Sequence, residues 1–539
     1  MNKGSKAIRN TYGRTVVRIL NSSILPDYAD PEEEPKFFGS AGTGVLYRPQ
    51  DHGLVTNVSD DDLCFMTNAH VVDSAAMLFV NHPEWGSLRL RAEAVGAFRD
   101  NDKALIVVRD VRQQIADLSK QQTKYAKDLK TWFDNVEALG ALPFPTRKQL
   151  SDMVDRDCFV VGFPLNQANQ VITKGVISSI QLFDIEEDRK LLLFQTDAAM
   201  NHGNSGGALM VEIDGQIYYA GIPSLGIPSA SNIGYVLPYH HVMSTMRGFA
   251  THPESILSPT KSLPKRFLNV EGPYRGMSVA FQQGEPDGYL VGQIDKVGCP
   301  FDVLPGDLIV QVGDAVVGDD GLLELPWTDV RIPYKTAFDE LPLGEVTLTV
   351  VRQGQRIQVG GDWAFDVNLP IRQLFGGLEQ LRFEAIGGMV ISELNLNQVK
   401  ANPALSVFLP RANRLEPRLA VITVDRMAES PVRPGWLVVQ VNGKPVQTYD
   451  DWEQQLLASV DNNNMSITFN TLQGVQPTLE IGDLDGLIQK TLQLSRIRNE
   501  RVTDGVEEAR VKYIVKETQK RQQMLVTPMQ DEFEPTASR

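Results

Sequence analysis

The chain of 539 residues is longer than one hydrophobic core usually supports, so its length predicts about three domains. Its composition is that of a globular protein, with 42% hydrophobic and 22% charged residues, and no apolar run is long enough to cross a bilayer. The net charge of −15 argues against a general nucleic-acid binder, because neutralising phosphates requires concentrated lysine and arginine.

The N-terminus and the cysteines predict the compartment. The segment "MNKGSKAIRNTYGRTVVRIL" is positively charged but lacks the apolar stretch and small-residue cleavage site of a secretory signal. Cys64, Cys158 and Cys299 are too sparse and too widely spaced for a disulfide framework or a zinc site. We therefore expect buried structural thiols in a soluble, intracellular protein, with cytoplasm and nucleus not distinguished.

Residues 1–250 are predicted to form an all-β domain. Short runs of β-branched and aromatic residues, such as "TVVRIL", "CFVVGF" and "LLLFQT", are separated by Gly, Asn and Asp, as in a barrel or sandwich. Over residues 111–136, apolar residues instead recur every three or four positions, which predicts an amphipathic helix interrupted only at Gln122. This helix either lies on the barrel surface or forms a seam for subunit contact.

Three segments of this domain carry the groups that activate a serine. A serine hydroxyl is a poor nucleophile at neutral pH and needs a positioned base and an orienting carboxylate. The candidate base is His70 in "FMTNAHVV", at the end of an apolar strand. Asp102 in "RDNDKALIVVR" directly precedes another strand, where it would fix the imidazole tautomer, and Asp100 is the rival acid. The candidate nucleophile is Ser205 in "TDAAMNHGNSGGALM".

The glycines around Ser205 have a predicted task. Without β-carbons, they let a substrate carbonyl approach the backbone and let the chain adopt positive φ. The amides of Gly203 and Ser205 would then converge on a developing oxyanion. The neighbouring His202 is predicted to have no catalytic role, and His240 with His241 is predicted to head a closing helix rather than to bind metal. No ligand cluster elsewhere indicates a metal or a cofactor.

The remainder of the chain contains a linker and an internal repeat. Residues 251–265, "THPESILSPTKSLPK", have the proline and serine content of a linker. "YLVGQIDKV" and "LPGDLIVQVGDAVV" return about 130 residues later as "LAVITVDRM" and "RPGWLVVQVNGKPV", which predicts related domains at 266–375 and 376–490. Residues 491–539 are highly charged and predict a solvated helix around 506–525, then a disordered tail.

These motifs resemble the HtrA/Deg group of trypsin-like serine proteases that carry PDZ domains. The match covers about residues 35–245 and is close at "TNAHVV", "DKALIVV", "VITKGVIS", "TDAAMNHGNSGGAL" and "NIGYVLP". The resemblance implies a mainly β chain, with a trypsin-like double β-barrel followed by two PDZ-like α+β domains. The layout most resembles plant Deg-type proteases. It also implies ATP-independent cleavage of unfolded or damaged proteins by a homo-oligomer built on trimers, without a cofactor.

The resemblance also assigns roles to individual residues. It implies that His70 is the general base, Asp102 its orienting acid and Ser205 the nucleophile. The oxyanion turn would consist of Gly203, Asn204 and Ser205.

Substrate selection is expected at two further places. The wall of the primary specificity pocket would carry no charge, which predicts small or medium apolar side chains before the scissile bond; its residues are Ile222, Pro223, Ser224 and Leu225. Two loops in the PDZ-like repeats would take a peptide's C-terminal carboxylate; they contain Arg275, Gly276 and Met277 in the first repeat and Gly387, Gly388 and Met389 in the second. Alternatively, one or both repeats only pack between subunits.

The chain departs from the family at Lys103, where an apolar residue usually follows the acid, and in the helical insertion over 111–136. Phe37 and Phe38 are candidates for a trimer contact. A second hypothesis is a catalytically silent scaffold or holding chaperone on the same fold. Such proteins usually lose a member of the triad, whereas all three members are present here.

Overall fold

The computed structural model describes residues 8–52, 58–98, 102–121, 123–139, 142–146, 149–186, 189–226, 233–243, 246, 260–261, 268–275, 287–294, 299–318, 320–363, 369–374, 376, 379–425, 431–471, 473–498 and 503–526. The chain forms two compact units, one of Met1–Ile24 with Phe37–Val367 and one of Leu25–Lys36 with Asn368–Arg539. Strands outnumber helices in these ranges, which confirms the mainly β class. No helix within them combines the length and apolar character that a membrane span needs.

Six strands at the start of the first unit close into a barrel. They pair in the order β5-β4-β1-β2-β3-β6, and β6 pairs back with β5. The strands are β1 (Val16–Leu25), β2 (Lys36–Tyr47), β3 (Leu63–Thr67), β4 (Ala75–Asn81), β5 (Leu90–Phe98) and β6 (Lys103–Val108). Both β3 and β6 are buried along their whole length, because apolar residues occupy both faces of each strand.

A second closed barrel follows in the order β10-β11-β12-β9-β8-β7. Its strands are β7 (Asp157–Gly162), β8 (Val171–Glu186), β9 (Arg189–Thr196), β10 (Ala208–Ile213), β11 (Gln216–Gly226) and β12 (Gly234–Pro238). The predicted double barrel is therefore present. Of the predicted linker 251–265, the described part is β13 (Thr260–Lys261), which runs parallel to the end of β5.

The predicted insertion forms two helices, α1 (Val111–Gln121) and α2 (Thr123–Leu139), and Gln122 lies outside the described residues. Its apolar stripe is buried within the first unit, including Leu129 and Trp132. The Trp132 ring packs edge-on against Trp85 of the same unit, with ring centroids 4.2 Å apart. The stripe thus packs on its own barrel, in agreement with the first of the two predicted roles.

The first repeat is a seven-stranded sheet with one short helix, α3 (Tyr334–Asp339). Its strands are β14 (Leu268–Arg275), β15 (Asp287–Ile294), β16 (Leu308–Val312), β17 (Ala315–Val317), β18 (Leu323–Glu324), β19 (Gly344–Arg352) and β20 (Gln355–Trp363). One continuous hydrophobic core runs through both barrels and this repeat.

The second repeat has a matching sheet in the second unit. Its strands are β21 (Phe383–Ile386), β22 (Met389–Glu393), β23 (Leu419–Val424), β24 (Leu437–Val441), β25 (Lys444–Pro445), β26 (Met465–Asn470) and β27 (Thr478–Ile481), and its helices are α4 (Leu396–Ala401), α5 (Tyr449–Ser459), α6 (Leu484–Arg498) and α7 (Asp504–Val526). The pairing β15–β16–β19–β20 of the first repeat recurs here as β23–β24–β26–β27. Both repeats thus use the hairpins that their shared motifs predict.

Two smaller predictions can be compared with the structure. Cys64 and Cys158 are buried and Cys299 is partly buried, and all three are free thiols. Helix α7 lies where a charged helix is predicted, but it is not solvated all round, because Val506 and Ala509 are buried in the core of the second unit. The predicted tail, residues 527–539, lies outside the described residues.

Candidate active site

The fold brings the candidate base and acid together at one end of the first barrel. His70 lies in the short 3-10 helix Ala69–Val71, which follows β3, and Asp102 directly precedes β6. Strands β3 and β6 are antiparallel neighbours with Thr67 opposite Ala104. The end of β3 therefore lies beside the start of β6, which places the two side chains next to each other.

The carboxylate of Asp102 holds His70 by three hydrogen bonds. His70 Nδ1 lies 2.9 Å from both Oδ1 and Oδ2, and the His70 backbone N–H donates to Oδ1 at 3.1 Å. Burial works against the charged imidazole, but the hydrogen bond to Asp102 and the charges of Asp102 and Asp73 raise the pKa of His70 overall. A proton fixed on Nδ1 leaves Nε2 as the basic nitrogen.

Asp102 is itself held in an uncommon backbone conformation, with φ of 51°. Asn68 Nδ2 donates to the Asp102 carbonyl oxygen at 2.8 Å, which fixes this turn beside β3. Aspartate tolerates positive φ better than most side chains do. The rival acid Asp100 lies outside the described residues.

Ser224 contacts both halves of the site. Its hydroxyl donates to Asp102 Oδ2 at 2.5 Å, and its carbonyl oxygen accepts from Ser205 Oγ at 3.4 Å. The register of β11 against β12 shifts between Pro223 and Leu225, so Ser224 occupies a bulge, a feature that often re-aims a side chain beside an active site. The sequence predicted Ser224 only as a pocket wall. The serine within the apolar run "AGIPSLG" could have indicated this role, because a hydroxyl buried in such a strand requires a hydrogen-bond partner.

Ser205 lies in the turn between β9 and β10. Its hydroxyl points to Ser224, and the structure, within its described residues, has no hydrogen bond between Ser205 and His70. Catalytic hydrogen bonds are often long or misaligned before substrate binds. The structure therefore assembles the His70–Asp102 pair and directs the Ser205 hydroxyl to the Ser224 carbonyl oxygen.

The turn around Ser205 requires glycine at two positions. Gly203 and Gly206 have φ of 99° and 83°, and a β-carbon on either would collide with backbone oxygen. The Asn204 and Gly206 amides are used inside the fold, on Asn201 and Pro223 carbonyls. Over the described residues, neither the Gly203 nor the Ser205 N–H has an intramolecular acceptor. These are the two amides that the sequence predicts as oxyanion donors.

Thr43 of β2 holds the same turn from the first barrel. Its N–H donates to the Ser205 carbonyl oxygen at 2.9 Å, and its hydroxyl donates to the Gly203 carbonyl oxygen at 2.6 Å. The same hydroxyl accepts from the Phe163 N–H at 3.0 Å, and Thr43 is fully buried. Sequence reasoning missed this residue. The sequence feature that could have indicated it is a threonine between two glycines in an otherwise apolar strand, "GTGVLY".

Comparison with known proteins agrees with this geometry. Residues 42–218 match the trypsin-like peptidase domain family. Protease Do-like 2, chloroplastic, from Arabidopsis thaliana is 25% identical over 386 residues, which cover 70% of this chain and 55% of that protein. Putative protease Do-like 13 from Arabidopsis thaliana is 25% identical over 348 residues, covering 63% of this chain and 61% of that protein. This chain is therefore similar to the HtrA and Deg serine proteases, and its residues 42–218 match a trypsin-like peptidase domain.

The resemblance read from the sequence is thereby confirmed. The chain spans less than two thirds of the length of these curated relatives. Among solved structures, the HtrA-type protease AlgW with decapeptide aligns at 18% identity and a TM-score of 0.41, over 68% of this chain and 99% of that one.

The predicted pocket wall carries no charge where it is described, and Ser224 is its polar member. Ile222 and Pro223 are buried, and the Leu225 side chain lies outside the described residues. Met200, in the turn before Ser205, packs against β12. Its side chain lies so close to Gly234 of β12 that a β-carbon there would collide with the sulfur.

Of the remaining predicted residues, some are described and some are not. His202 is exposed, and its carbonyl oxygen accepts from the Leu165 N–H at 2.6 Å. Gly276, Met277 and the side chain of Arg275 lie outside the described residues.

The loop of the second repeat is the turn between β21 and β22. It contains Gly387, Gly388 and Met389, and its two glycines have φ of 61° and 77°. The Gly387 N–H donates to Thr491 Oγ1 on α6 at 3.2 Å.

Proposed function

We propose that this HtrA/Deg relative is a serine endopeptidase that cleaves unfolded or damaged polypeptides without ATP. The observation that carries the proposal is the pairing of His70 with Asp102 beside two unused amides on the Ser205 turn. An imidazole held by a carboxylate can take the Ser205 proton, and the Gly203 and Ser205 N–H groups can stabilise the oxyanion.

The chemistry follows from these positions. Ser205 Oγ turns from the Ser224 carbonyl to His70 Nε2, gives up its proton and attacks the peptide carbonyl. His70 then protonates the leaving amine, which produces an acyl-enzyme. A water molecule, deprotonated by the same imidazole, hydrolyses the ester and returns the proton to Ser205.

The choice of substrate is proposed from the apolar wall. Ile222 and Pro223 offer no charge to a side chain, which supports cleavage after small or medium apolar residues. The loop of the first PDZ-like repeat is proposed to take a peptide carboxylate. For the second repeat, the bond from Gly387 to Thr491 supports a packing role instead.

Assembly and location are proposals of the same kind. Phe37 and Phe38 of β2 are exposed aromatic side chains, which supports a trimer contact at this position. Three free thiols support a reducing, intracellular compartment.

The test is labelling with a fluorophosphonate probe, read beside light-scattering mass and casein cleavage. Wild type should label once per chain, whereas Ser205→Ala and His70→Ala should not. His202→Ala is the matched control, since this neighbouring imidazole is exposed and predicted to be non-catalytic, and it should label like wild type. Wild type that never labels, in any assembly state, would favour the silent scaffold.

A further inference from the structure

Helix α7 turns one face toward the core of the second unit. Lys512 Nζ donates to the Leu457 carbonyl oxygen at 2.8 Å, and Lys516 Nζ donates to the Val460 carbonyl oxygen at 3.1 Å. Three residues of the helix are buried in the core, namely Val506, Ala509 and Tyr513. These contacts fix the rotation of the helix about its axis, so that its opposite face is directed outward.

The outward face of α7 has an apolar centre. Val511, Ile514 and Val515 are 52%, 53% and 48% exposed, and their spacing of three and four residues places them side by side. Valine and isoleucine are weak helix formers, so an exposed helix position has no local reason to favour them. In a helix otherwise rich in charged residues, such a patch indicates a surface that another polypeptide covers.

Charged residues of opposite sign flank this apolar centre at its two ends. The seam of α7 consists of positions that alternate three and four residues apart along the outward face: Asp504, Glu507, Val511, Ile514, Thr518 and Arg521. The seam is therefore acidic at its start, apolar in its middle and basic at its end. A parallel second copy would bring like charges together, whereas an antiparallel copy brings the acidic start of each helix beside the basic end of the other.

We propose that the seam of α7 is an interface with a second copy of the chain, in which two α7 helices pack antiparallel. Val511 then packs against Ile514 of the second copy. In the same register, Glu507 lies opposite Thr518, and the acidic start of each seam reaches the basic end of the other. A second copy is the occupant because the order acidic, apolar, basic is complementary to itself.

This interface goes beyond the proposed protease function and does not depend on it. Two apolar layers bury much less than a stable interface of standard size, about 1,600 Å² in total, so the pair alone is expected to be weak. It gains strength where several copies are already held together, because the second contact is then intramolecular. The expected consequence is a link between chains, or between trimers, through their second units.

Disulfide cross-linking of the full chain tests the arrangement. The antiparallel register places position 511 of one chain opposite position 514 of the other, so co-expressed Val511→Cys and Ile514→Cys chains should form a covalent dimer on mild oxidation. Its yield should be at least about 5-fold higher than for either variant alone, because a disulfide tolerates little displacement of its cysteines. Val475→Cys is the matched control, since this apolar residue is 61% exposed in the hairpin between β26 and β27, and it should cross-link no more than wild type.

Two charge variants at one exposed position test the orientation. Thr518 is exposed and, in the proposed register, lies opposite Glu507 of the second copy. Thr518→Lys should therefore strengthen self-association and Thr518→Glu should weaken it, each by about 2- to 10-fold in the dissociation constant measured by sedimentation at low salt. High salt should reduce both effects, because the charges are at the surface. In a parallel pair, position 518 would face itself, so both variants would weaken association.

The measurements also separate this interface from the protease function. In a Ser205→Ala background the cross-linking should be unchanged, and it should persist even if wild type never labels with fluorophosphonate. Equal cross-linking of each single variant on its own would indicate parallel helices and overturn the inference. The absence of a covalent dimer would also overturn it, as would an Ile514→Cys thiol that is shielded from maleimide in dilute protein, since another part of the chain would then cover the seam.

Discussion

Replacing Thr43 by valine tests whether the first barrel shapes the oxyanion turn. Valine has nearly the same shape but removes the hydroxyl that bridges the Gly203 carbonyl and the Phe163 N–H, at 2.6 and 3.0 Å. Both backbone groups then remain buried without this partner, at about 1–3 kcal/mol each. We expect the first unit to lose about 2–4 kcal/mol of unfolding free energy.

The catalytic effect should be separable from this loss of stability. A freed Gly203 carbonyl lets the Gly203–Asn204 peptide turn, which loosens the turn that aims the Gly203 and Ser205 N–H groups at the oxyanion. Complete loss of one such donor costs about 100- to 1,000-fold in kcat, so misalignment should cost about 10- to 100-fold. Fluorophosphonate labelling rates and thermal unfolding measure the two effects, and Thr43→Ser is the control that keeps the hydroxyl. A valine variant that is destabilised yet labels Ser205 at the wild-type rate would refute the reasoning.

Three further changes address other parts of the chain. Because Asp102 raises the pKa of His70, the apparent pKa of the acid limb in the pH profile of kcat/KM should exceed the usual histidine value of about 6.5. An apparent pKa below that value contradicts the assignment. Ser224→Ala removes a hydrogen-bond donor to Asp102, and steady-state kinetics should show kcat about 10-fold lower with KM unchanged. An unchanged kcat would show that this hydrogen bond does not contribute to catalysis. Burial raises the pKa of Glu384 to about 7, although Thr503 Oγ1 donates to it. Its protonated form therefore stabilises the fold below the unfolded pKa of about 4.3, and this stability is lost as pH rises through 7. We therefore expect Glu384→Gln to change the unfolding free energy of the second unit differently at pH 8 and at pH 4, with the pH 8 value more favourable to the variant by about 3 kcal/mol. Chemical denaturation at the two pH values measures this, and an equal effect of the substitution at both would contradict the prediction.

The groups that the proposed reaction requires could be predicted from the sequence because their chemistry constrains the residue type. Only a few side chains serve as base, acid and nucleophile, so His70, Asp102 and Ser205 stand out beside strand ends. The barrels were predictable for a similar reason, since short apolar runs and turns repeat regularly. The Ser205 hydroxyl points to the Ser224 carbonyl oxygen, and no sequence pattern encodes such a side-chain conformation.

Residues that shape the site were missed because several residue types fit their local sequence equally well. Thr43 and Ser224 are a threonine and a serine in apolar strands, and their roles depend on which carbonyl or carboxylate lies opposite. That neighbour is set by barrel closure and, for Ser224, by a bulge in β11. Helix α7 could not be placed from its sequence for the same reason. Its residues are mostly charged, and Val506 and Ala509 are recognised as core residues only once the fold of the second unit is known.

Lys103 is the clearest case in which a departure from pattern carries physical meaning. An ammonium in a strand buried along its whole length is unfavourable unless another part of the fold supplies an anion. Glu340 is far away in the chain, yet its charge acts on Lys103 within the same compact unit. The charges of Glu340 and Asp102 both act against the lowering of the Lys103 pKa by burial, and so both favour the ammonium form. The residue that departs from the family pattern is therefore accommodated by the acid that precedes it and by a carboxylate of the domain that follows the barrels.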